Sequence, residues 1–480
     1  MGSFAMTPMP PRNIGFEFEF PAVMRDGHAA PREKIKAMWK AFCAAHPQWH
    51  LNREKIRHTI TGVRRTNQGY TEILNSDGGV CTVEFSLRPW PDVHQAIRAF
   101  TTVFEQIKAV ATPLGISFLA MGMQPITGYE WEHETQKDWY FLLNRKLPDH
   151  HYAVPFASHQ TSVDIRVEEW VDVVNMLSAL SGPMIALSAS SPLGFHKLCA
   201  QKEMRLQVWK DWNKRIEPKY RPYFSNSMPA KPFKTVDDYI RFYWNSQLYF
   251  VTHGKSSGYE ILGNRRWIDF LRSKKPVPAR GTKGKKTALL STDEMLNSIH
   301  QYGWLTTKVH YTFDDRTTIP DILKAYDTQK LFPYFRKHVT RCYIENRGTG
   351  VAAKGEEAAM PAMTLGLIEN LKKSVSLWRG VPWNEWKKIR EDATNHGLDF
   401  HYKPKRSLGL IKNMLAIAEE GLMLRKLDEE AYLEPLKLRL NSRWTNADEI
   451  VLTYKRGGLP LVLACHGYRP DANEVQHTVS

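Results

Sequence analysis

Cysteine is scarce in this 480-residue sequence, and the five that occur form no C-x-x-C pair: Cys43, Cys81, Cys199, Cys342 and Cys465. An odd number of scattered cysteines supports neither a disulfide framework nor a zinc ribbon. We find no uninterrupted apolar run long enough to span a bilayer and no charged-then-apolar leader. We therefore expect a soluble protein of the reducing cytoplasm with no membrane partner.

Several catalytic motifs are missing as well. The sequence has no H-E-x-x-H, no G-x-G-x-x-G and no G-x-S-x-G, and it has no internal repeat. Residues 272–286 nearly imitate a phosphate-binding P-loop, but Ala279 replaces the first required glycine and Lys286 replaces the Ser or Thr. We interpret this segment, rich in Lys, Arg, Pro and Gly, as a solvated basic loop or linker.

Positive charge and apolar residues are abundant. The 66 Lys and Arg residues outnumber the 50 Asp and Glu residues and give a net charge of +16, which favours anionic partners such as nucleotides, small carboxylates, acidic peptides or nucleic acid. With 42% hydrophobic residues the chain can bury a large core.

Helical periodicity predicts helices over residues 94–115, 170–190 and 407–426, the second buried and broken at Gly182-Pro183. Beyond about residue 360 the pattern is almost entirely helical.

Four strand-like segments share one unusual pattern, in which carboxylates alternate with bulky apolar residues. The segments are IGFEFEF (14–20), CTVEFSLRP (81–89), TSVDIRVEE (161–169) and RCYIENRGTG (341–350). Residues two apart in a strand lie on one face, so each segment has an apolar face and a charged one, and three of the charged faces include an arginine. A sheet with one wet face explains any single segment.

Four such segments together favour a cleft in which the charged faces meet. Clustered carboxylates repel each other and raise each other's pKa unless cations lie between them. Mg²⁺ prefers such hard oxygen ligands and shares its coordination with substrate phosphates, and arginines would bind phosphate or carboxylate oxygens.

These segments, in order and spacing, resemble the glutamate–cysteine ligases of the plant and proteobacterial type, within the glutamine-synthetase-like carboxylate–amine ligases. The similarity is colinear from about Asn13 to about Tyr468 and includes TVEFSLRPWPDVHQ, TSVDIRV, EMRLQVW, YIENRG and MPAMTLGLIENL. It implies an α+β fold, with a glutamine-synthetase-like antiparallel sheet forming an open barrel, flanked by helices, and a helical C-terminal region. It also implies that ATP phosphorylates the γ-carboxylate of glutamate and that the amine of cysteine then displaces phosphate.

The resemblance also implies roles for individual residues. Four positions correspond to magnesium ligands, Glu17, Glu19, Glu84 and Glu345, and Asp164 is able to act as a fifth. Arg347 corresponds to the cation that steadies the transferring phosphoryl group. Arg205 corresponds to a clamp for substrate carboxylate or phosphate, unless it is a surface arginine on a helix. Gln124 corresponds to a residue that lines the substrate site, although a turn before Pro125 explains it equally well.

Two residues depart from the family pattern, since Asp164 and Arg166 stand where the family usually has Gln and Asn. Arg166 would add a fixed positive charge and a long side chain to the nucleotide and substrate pocket. We therefore keep, beside ligation of glutamate to cysteine, a ligase that joins another acid or amine, including an acidic peptide. A nucleic-acid-binding protein on a degenerate ligase scaffold is a third hypothesis, although the retained carboxylates make nucleic acid an improbable partner.

The expected organisation has three parts. Residues 1–12 are expected to be a disordered or tag-derived N-terminus. Residues 13–370 are expected to form the catalytic ligase domain, including the basic loop at 272–286. Residues 371–480 are expected to form a helical region that packs on it.

Overall fold

The computed structural model describes residues 11–55, 57–144, 154–219, 221–251, 258–281, 283–298, 303–401 and 407–468. The strands in these ranges are β1 (Ile14–Val23), β2 (His50–Arg53), β3 (Ile60–Asn67), β4 (Tyr70–Ser76), β5 (Thr82–Ser86), β6 (Ser117–Leu119), β7 (His159–Asp164), β8 (Leu193–Gly194), β9 (Lys197–Leu198), β10 (Phe224–Ser227), β11 (Phe250–Val251), β12 (Tyr259–Ile261), β13 (Val277–Gly281), β14 (Lys286–Leu289), β15 (Trp304–Leu305), β16 (Thr307–Phe313), β17 (Val339–Asn346) and β18 (Gly467–Tyr468).

The α-helices in the same ranges are α1 (Arg32–Ala45), α2 (Val93–Ala111), α3 (Asp138–Asn144), α4 (Trp170–Ser188), α5 (Met204–Arg215), α6 (Val236–Trp244), α7 (Trp267–Leu271), α8 (Ile319–Asp327), α9 (Leu331–His338), α10 (Ala359–Glu369), α11 (Leu371–Arg379), α12 (Trp383–His396), α13 (Ser407–Arg425), α14 (Glu434–Ser442) and α15 (Asn446–His466). The helical pattern beyond residue 360 is confirmed.

One ten-stranded antiparallel sheet organises the fold. Its strands run in the order β16-β17-β7-β1-β5-β4-β3-β2, with β6 joining β1 to β18. The edge strands β16 and β2 do not pair with each other in the part of the chain that the structure describes, so the sheet does not close. The expected antiparallel sheet flanked by helices is confirmed, and it is open.

The apolar face of the central strand β1 packs on α2. Phe18 lies edge-on to Phe100 with ring centroids 4.9 Å apart, and Phe20 stacks on Phe104 at 4.8 Å. The helix begins where Asp92 accepts a hydrogen bond from the Gln95 amide, as an N-cap residue does. This packing fixes β1 and leaves its other face to the polar residues.

Helix α4 runs through the core without the expected break. Pro183 lies inside it, although a proline removes one helical hydrogen bond. The glycine before it serves packing rather than a break in the helix. A Cβ on Gly182 would lie 2.8 Å from the Arg390 backbone nitrogen on α12. The prediction of a break was wrong, because α4 continues through Pro183, and close packing against α12 requires glycine at position 182.

The same region corrects the expectation that no segment is long and apolar enough to span a bilayer. The helical span Val167–Ser188 meets that test by length and composition. However, 89% of its most apolar window is buried inside the fold. A core helix that is buried inside a globular fold meets the same criteria of length and composition. The span is therefore weak evidence for a membrane-crossing helix.

The basic segment 272–286 is largely folded, so its interpretation as a linker was wrong. Residues 277–281 form β13, which pairs with β12 and with β14. Val277 and Ala279 are buried, and a turn around Gly284, with φ +84°, connects β13 to β14. Alternating apolar residues in β13 decided the structure, while Lys285 and Lys286 remain exposed.

The expected N-terminal segment ends earlier than residue 12. Arg12 forms ion pairs with Glu169, at 2.7 Å, and with Glu369, at 3.3 Å. Residues 1–10 lie outside the described residues. Arg12 therefore belongs to the fold, and the division at residue 370 stays a prediction.

Helices α10 and α13 cross with almost no space between their backbones. A Cβ on Gly421 would lie 1.9 Å from the carbonyl oxygen of Gly366, and a Cβ on Gly366 would lie 2.2 Å from that of Ala418. Only glycine fits at this crossing, which attaches the C-terminal helices to the helix that follows the sheet.

We expect Gly421→Ala to lower the free energy of unfolding by about 1–3 kcal/mol, because the methyl group forces the helices apart. Gly409→Ala on the same helix is the matched control, since nothing lies within 4 Å of a Cβ there. The control should be neutral or slightly stabilising, because alanine favours helix more than glycine does. Chemical denaturation of both variants checks this, and equal midpoints would contradict the crossing.

Candidate functional site

The charged face of the large sheet collects three glutamates. On adjacent strands, Glu19 lies directly opposite Glu84. Glu17 precedes Glu19 by two residues and therefore shares its face of β1. One carboxylate oxygen from each of the three lies within 4.8 Å of the others. We call Glu17, Glu19 and Glu84 the carboxylate cluster.

Burial and mutual repulsion raise the pKa of every member of the carboxylate cluster. Burial, followed by Asp77 and Glu84, raises the pKa of Glu19 to about 8. Burial, followed by Glu84, raises the pKa of Glu17 well above its ordinary value. Burial, followed by Asp77, also raises the pKa of Glu84. Three carboxylates in this condition are a donor set that could hold a divalent cation, and such an ion would remove the repulsion.

Neutral donors orient the cluster. The backbone N–H and hydroxyl of Ser158 donate to Oε2 of Glu19 at 2.7 and 2.9 Å, and the Gln160 amide donates to Oε1 at 3.2 Å. Asn75 and Ser86 donate to Oε1 of Glu84 at 3.0 and 2.6 Å. These contacts orient Glu19 and Glu84 without adding positive charge beside them.

Glu345 lies on the same face but is held by two partners of its own, Arg347 and His310. It occupies β17, with β7 between it and β1, which puts the two outer strands about 10 Å apart at usual strand spacing. Nη1 of Arg347 donates to it at 2.5 Å, and Nε2 of His310 lies 2.8 Å from its other oxygen. Burial opposes ionisation of Glu345, but Arg347 and His310 outweigh it and lower its pKa.

Arg347 lies close enough to the carboxylate cluster to interact with it electrostatically, and its predicted role at a phosphoryl group stays a prediction. It is largely buried, and Glu345, Glu17 and Glu19 together outweigh burial and raise its pKa. The guanidinium is therefore a permanent cation beside a set of anions, which is the arrangement that stabilises negative charge on a phosphoryl group.

Arg205 is buried, so the alternative of a surface arginine was wrong. It is the second residue of α5 and only 2% exposed. Its Nε donates to Glu203 at 3.1 Å and its Nη2 donates to the Thr349 carbonyl at 3.0 Å. Its charge reaches Glu19, whose pKa it lowers slightly against the larger effect of burial.

Gln124 is fully buried and supports backbone rather than the cluster. Its Nε2 donates to the carbonyls of Ala22 and Cys81, each at 3.3 Å, and so it connects the end of β1 to the residue before β5. This contact differs from both expectations for Gln124, the substrate site and the turn before Pro125. Its place in a substrate pocket stays a prediction.

Asp164 shares the charged face but lies apart from the cluster. It is four residues along β7 from Gln160, the partner of Glu17, or about 13 Å at usual strand rise. Asn13 donates to its Oδ2 at 2.7 Å. Asp164 and Glu17 line opposite parts of a cavity of about 160 Å³ that also includes Arg341 and Tyr343.

Arg166 does not reach this face, so its expected position was wrong. Strand β7 ends at Asp164, and Arg166 begins a short 3₁₀ turn over Val167–Glu169. Its Nη2 donates to Glu169 at 2.6 Å, and its side chain is 45% exposed. The end of the strand broke the alternation on which the expectation rested.

Several residues at the site were missed by the sequence analysis. Lys308 lies opposite Glu345, and burial lowers its pKa to about 8. The alternation of Lys308 and His310 in β16 is the same signal as in the four segments and could have identified both. Lys137 and Tyr140, which bind Asp77 at 3.3 and 2.8 Å, come from the short α3 region, and no sequence signal connects them to the sheet.

Comparison with known proteins agrees with this geometry. Residues 13–231 match the family described as glutamate-cysteine ligase family 2 (GCS2). The chain is 22% identical over 401 residues to a chloroplastic glutamate–cysteine ligase of Medicago truncatula, covering 81% of this chain and 68% of that protein. This chain is a ligase-like enzyme whose sequence is similar to the glutamate–cysteine ligases. It is also 21% identical over 397 residues to the chloroplastic ligase of Nicotiana tabacum, covering 81% of this chain and 66% of that protein.

The match to the plant ligases thus spans about two thirds of their length. Among solved structures, a glutamate–cysteine ligase of Francisella tularensis in complex with AMP has a TM-score of 0.49 and 11% identity. The structural match covers 95% of this chain and 88% of the Francisella tularensis chain. That structural similarity is too distant to assign residues in this ligase-like chain.

The raised pKa values predict how stability of the ligase-like enzyme varies with pH. Glu19 binds its proton more tightly when folded than when unfolded, so without divalent cations stability should fall as pH rises from about 4.5 to about 8. Glu19→Gln should make this decline shallower and reduce the stabilisation that Mg²⁺ gives the wild type.

Thermal melts between pH 5 and pH 8, with and without Mg²⁺, measure both effects. Glu33→Gln is the control, because Glu33 is an exposed residue of α1. Identical pH profiles for the wild type and Glu19→Gln would contradict a raised pKa of Glu19 in the folded protein.

Proposed function

We propose that this chain is an ATP-dependent carboxylate–amine ligase that activates its acid as an acyl phosphate, with the γ-carboxylate of glutamate as the acid and the amine of cysteine as the acceptor. The observation that carries the proposal is the buried carboxylate cluster facing Arg347 across one face of the sheet. Family membership of the region 13–231 supports it.

The chemistry explains why such a face is useful. A carboxylate is a poor electrophile, and phosphorylation converts it into an acyl phosphate that loses phosphate readily when an amine attacks. Phosphoryl transfer needs positioning and stabilisation of developing negative charge more than covalent participation by the protein. Arg347 supplies a fixed guanidinium for that purpose, and Lys308 lies on the same face beside Glu345.

The donor set of the carboxylate cluster fits Mg²⁺, since it offers oxygen ligands of high charge and little else. Glu17, Glu19 and Glu84 would hold the ion, which would neutralise ATP phosphates. Glu345 is already bound to Arg347 and His310, so we propose that it positions Arg347 and contributes to the metal site less directly than the other three.

A related ligase with another acid or amine is the second candidate. The cavity of about 160 Å³ beside Glu17 favours it, because Asp164 gives that cavity a second carboxylate. An amine acceptor with additional positive charge would suit this lining. Arg341 in the same cavity offers a partner for an acceptor carboxylate.

We propose a cytoplasmic location. The five cysteines are unpaired, as in a reducing compartment. Burial raises the pKa of Cys81 to about 12 and keeps its thiol unreactive.

Release of phosphate from Mg-ATP tests the function directly. With glutamate fixed and the amine varied, we expect release that requires both glutamate and cysteine, with the dipeptide detected by mass. Release only with another acid or amine would favour the second candidate. No release with any pair would contradict ligase activity.

Arg347→Lys should lower turnover by about 100-fold or more, because an ammonium cannot replace the planar fork of a guanidinium beside developing charge. Arg166→Lys is the matched control, since Arg166 points to Glu169 and away from the cluster. Steady-state rates at saturating ATP measure both. A near-normal rate for Arg347→Lys would restrict Arg347 to a structural role.

A further inference from the structure

A second group of potential metal ligands lies at the end of α12, on the surface of the protein. Asp392 and His396 are four residues apart on this helix and therefore lie on one face. The chain then turns at Gly397, whose φ is +58°, through a short 3₁₀ segment over Gly397–Asp399. The turn brings His401 back to the same face.

The separations in this group are those of ligands around a shared ion. Nε2 of His396 lies 3.5 Å from Oδ1 of Asp392, and Nδ1 of His401 lies 3.4 Å from Oδ2. Both are long for direct hydrogen bonds. Two ligand atoms bound to Zn²⁺ at about 2.1 Å and at the tetrahedral angle are about 3.4 Å apart. One ligand atom from each of the three residues lies within 4.8 Å of the others.

The backbone fixes the carboxylate in this arrangement. The N–H of His401 donates a close hydrogen bond to Oδ2 of Asp392, so the aspartate is aimed at the second histidine before any ion binds. The two imidazoles lie edge to face, with centroids 5.1 Å apart.

Access to the group is open. The side chains of His396 and His401 are 48% and 72% exposed, and Asp392 is 29% exposed. A cavity of about 390 Å³ lies beside Asp392 and His401, and Lys388, Glu391 and Asn395 also line it. None of these residues belongs to the candidate ligase site.

We propose that Asp392, His396 and His401 form a second metal site, which binds a divalent transition-metal ion such as Zn²⁺. Neutral imidazole nitrogens together with one carboxylate suit zinc, copper and nickel, whereas Mg²⁺ selects an all-oxygen set. Three protein ligands leave a coordination position for water or for a donor from a partner. The bound ion ties the end of α12 to the chain at residue 401 and stabilises that segment by mass action.

Copper(II) added to the purified, metal-free protein is the direct probe, because its paramagnetic resonance spectrum shows hyperfine splitting from bound imidazole nitrogens. We expect a spectrum with two bound nitrogens, from which excess Zn²⁺ displaces the copper and Mg²⁺ does not. His396→Gln and His401→Gln should each remove one nitrogen and weaken Zn²⁺ binding by about tenfold or more.

His50→Gln is the control, since His50 is exposed on β2 and lies outside the group. Circular dichroism checks that each variant folds, which we expect because both substituted histidines are at the surface. As a second measurement, Zn²⁺ should raise the melting temperature of the wild type and of His50→Gln more than that of His401→Gln.

Two results would overturn the site. One is a wild-type copper spectrum without two-nitrogen splitting. The other is equal Zn²⁺ affinity in His50→Gln, His396→Gln and His401→Gln. Either result would be independent of ligase activity, because the assay needs neither ATP nor glutamate.

Discussion

Repulsion among buried carboxylates is the constraint on which the rest of the site depends. Glu17, Glu19 and Glu84 are held near one another by strand register, and burial raises the pKa of each. Burying these carboxylates close together lowers the stability of the fold. Apolar packing on the other face of the same strand, where the phenylalanines contact α2, offsets this loss. Burying such a side chain contributes about 1.5–3 kcal/mol. One strand therefore carries both the stabilising and the destabilising half of the arrangement.

The cations around the cluster are placed so that they do not cancel it. Arg347 and His310 bind Glu345, Lys137 binds Asp77, and Arg205 binds Glu203. Arg347, Lys137 and Arg205 thus each have a carboxylate partner outside the cluster. The cluster keeps its oxygen ligands for an incoming cation, whose binding would displace the proton that the raised pKa of Glu19 retains. Such partial neutralisation suits a site that assembles around a charged nucleotide, because the fixed charges are oriented before the substrate arrives.

The two candidate metal sites differ in chemistry and in setting. The sheet site offers only carboxylate oxygens in a buried place, and the α12 site offers two imidazoles and one carboxylate at the surface. Ligand type separates hard from borderline cations, so the two sites select different ions from the same solution. The first depends on strand pairing across the sheet, and the second depends on one helix and the turn after it.

The sequence by itself determined which residues share a face. Period-two alternation placed Glu17, Glu19, Glu84 and Glu345 opposite apolar residues, and period-3.6 spacing located α2 and α13, because both signals depend only on local geometry. Tertiary structure alone decided which faces meet and where each element ends. It separated Asp164 from the cluster, turned Arg166 toward Glu169, kept α4 intact through Pro183, and folded the segment 277–289 into a hairpin. Strand order, register and close helix contacts arise between segments distant in sequence, and no local pattern encodes them.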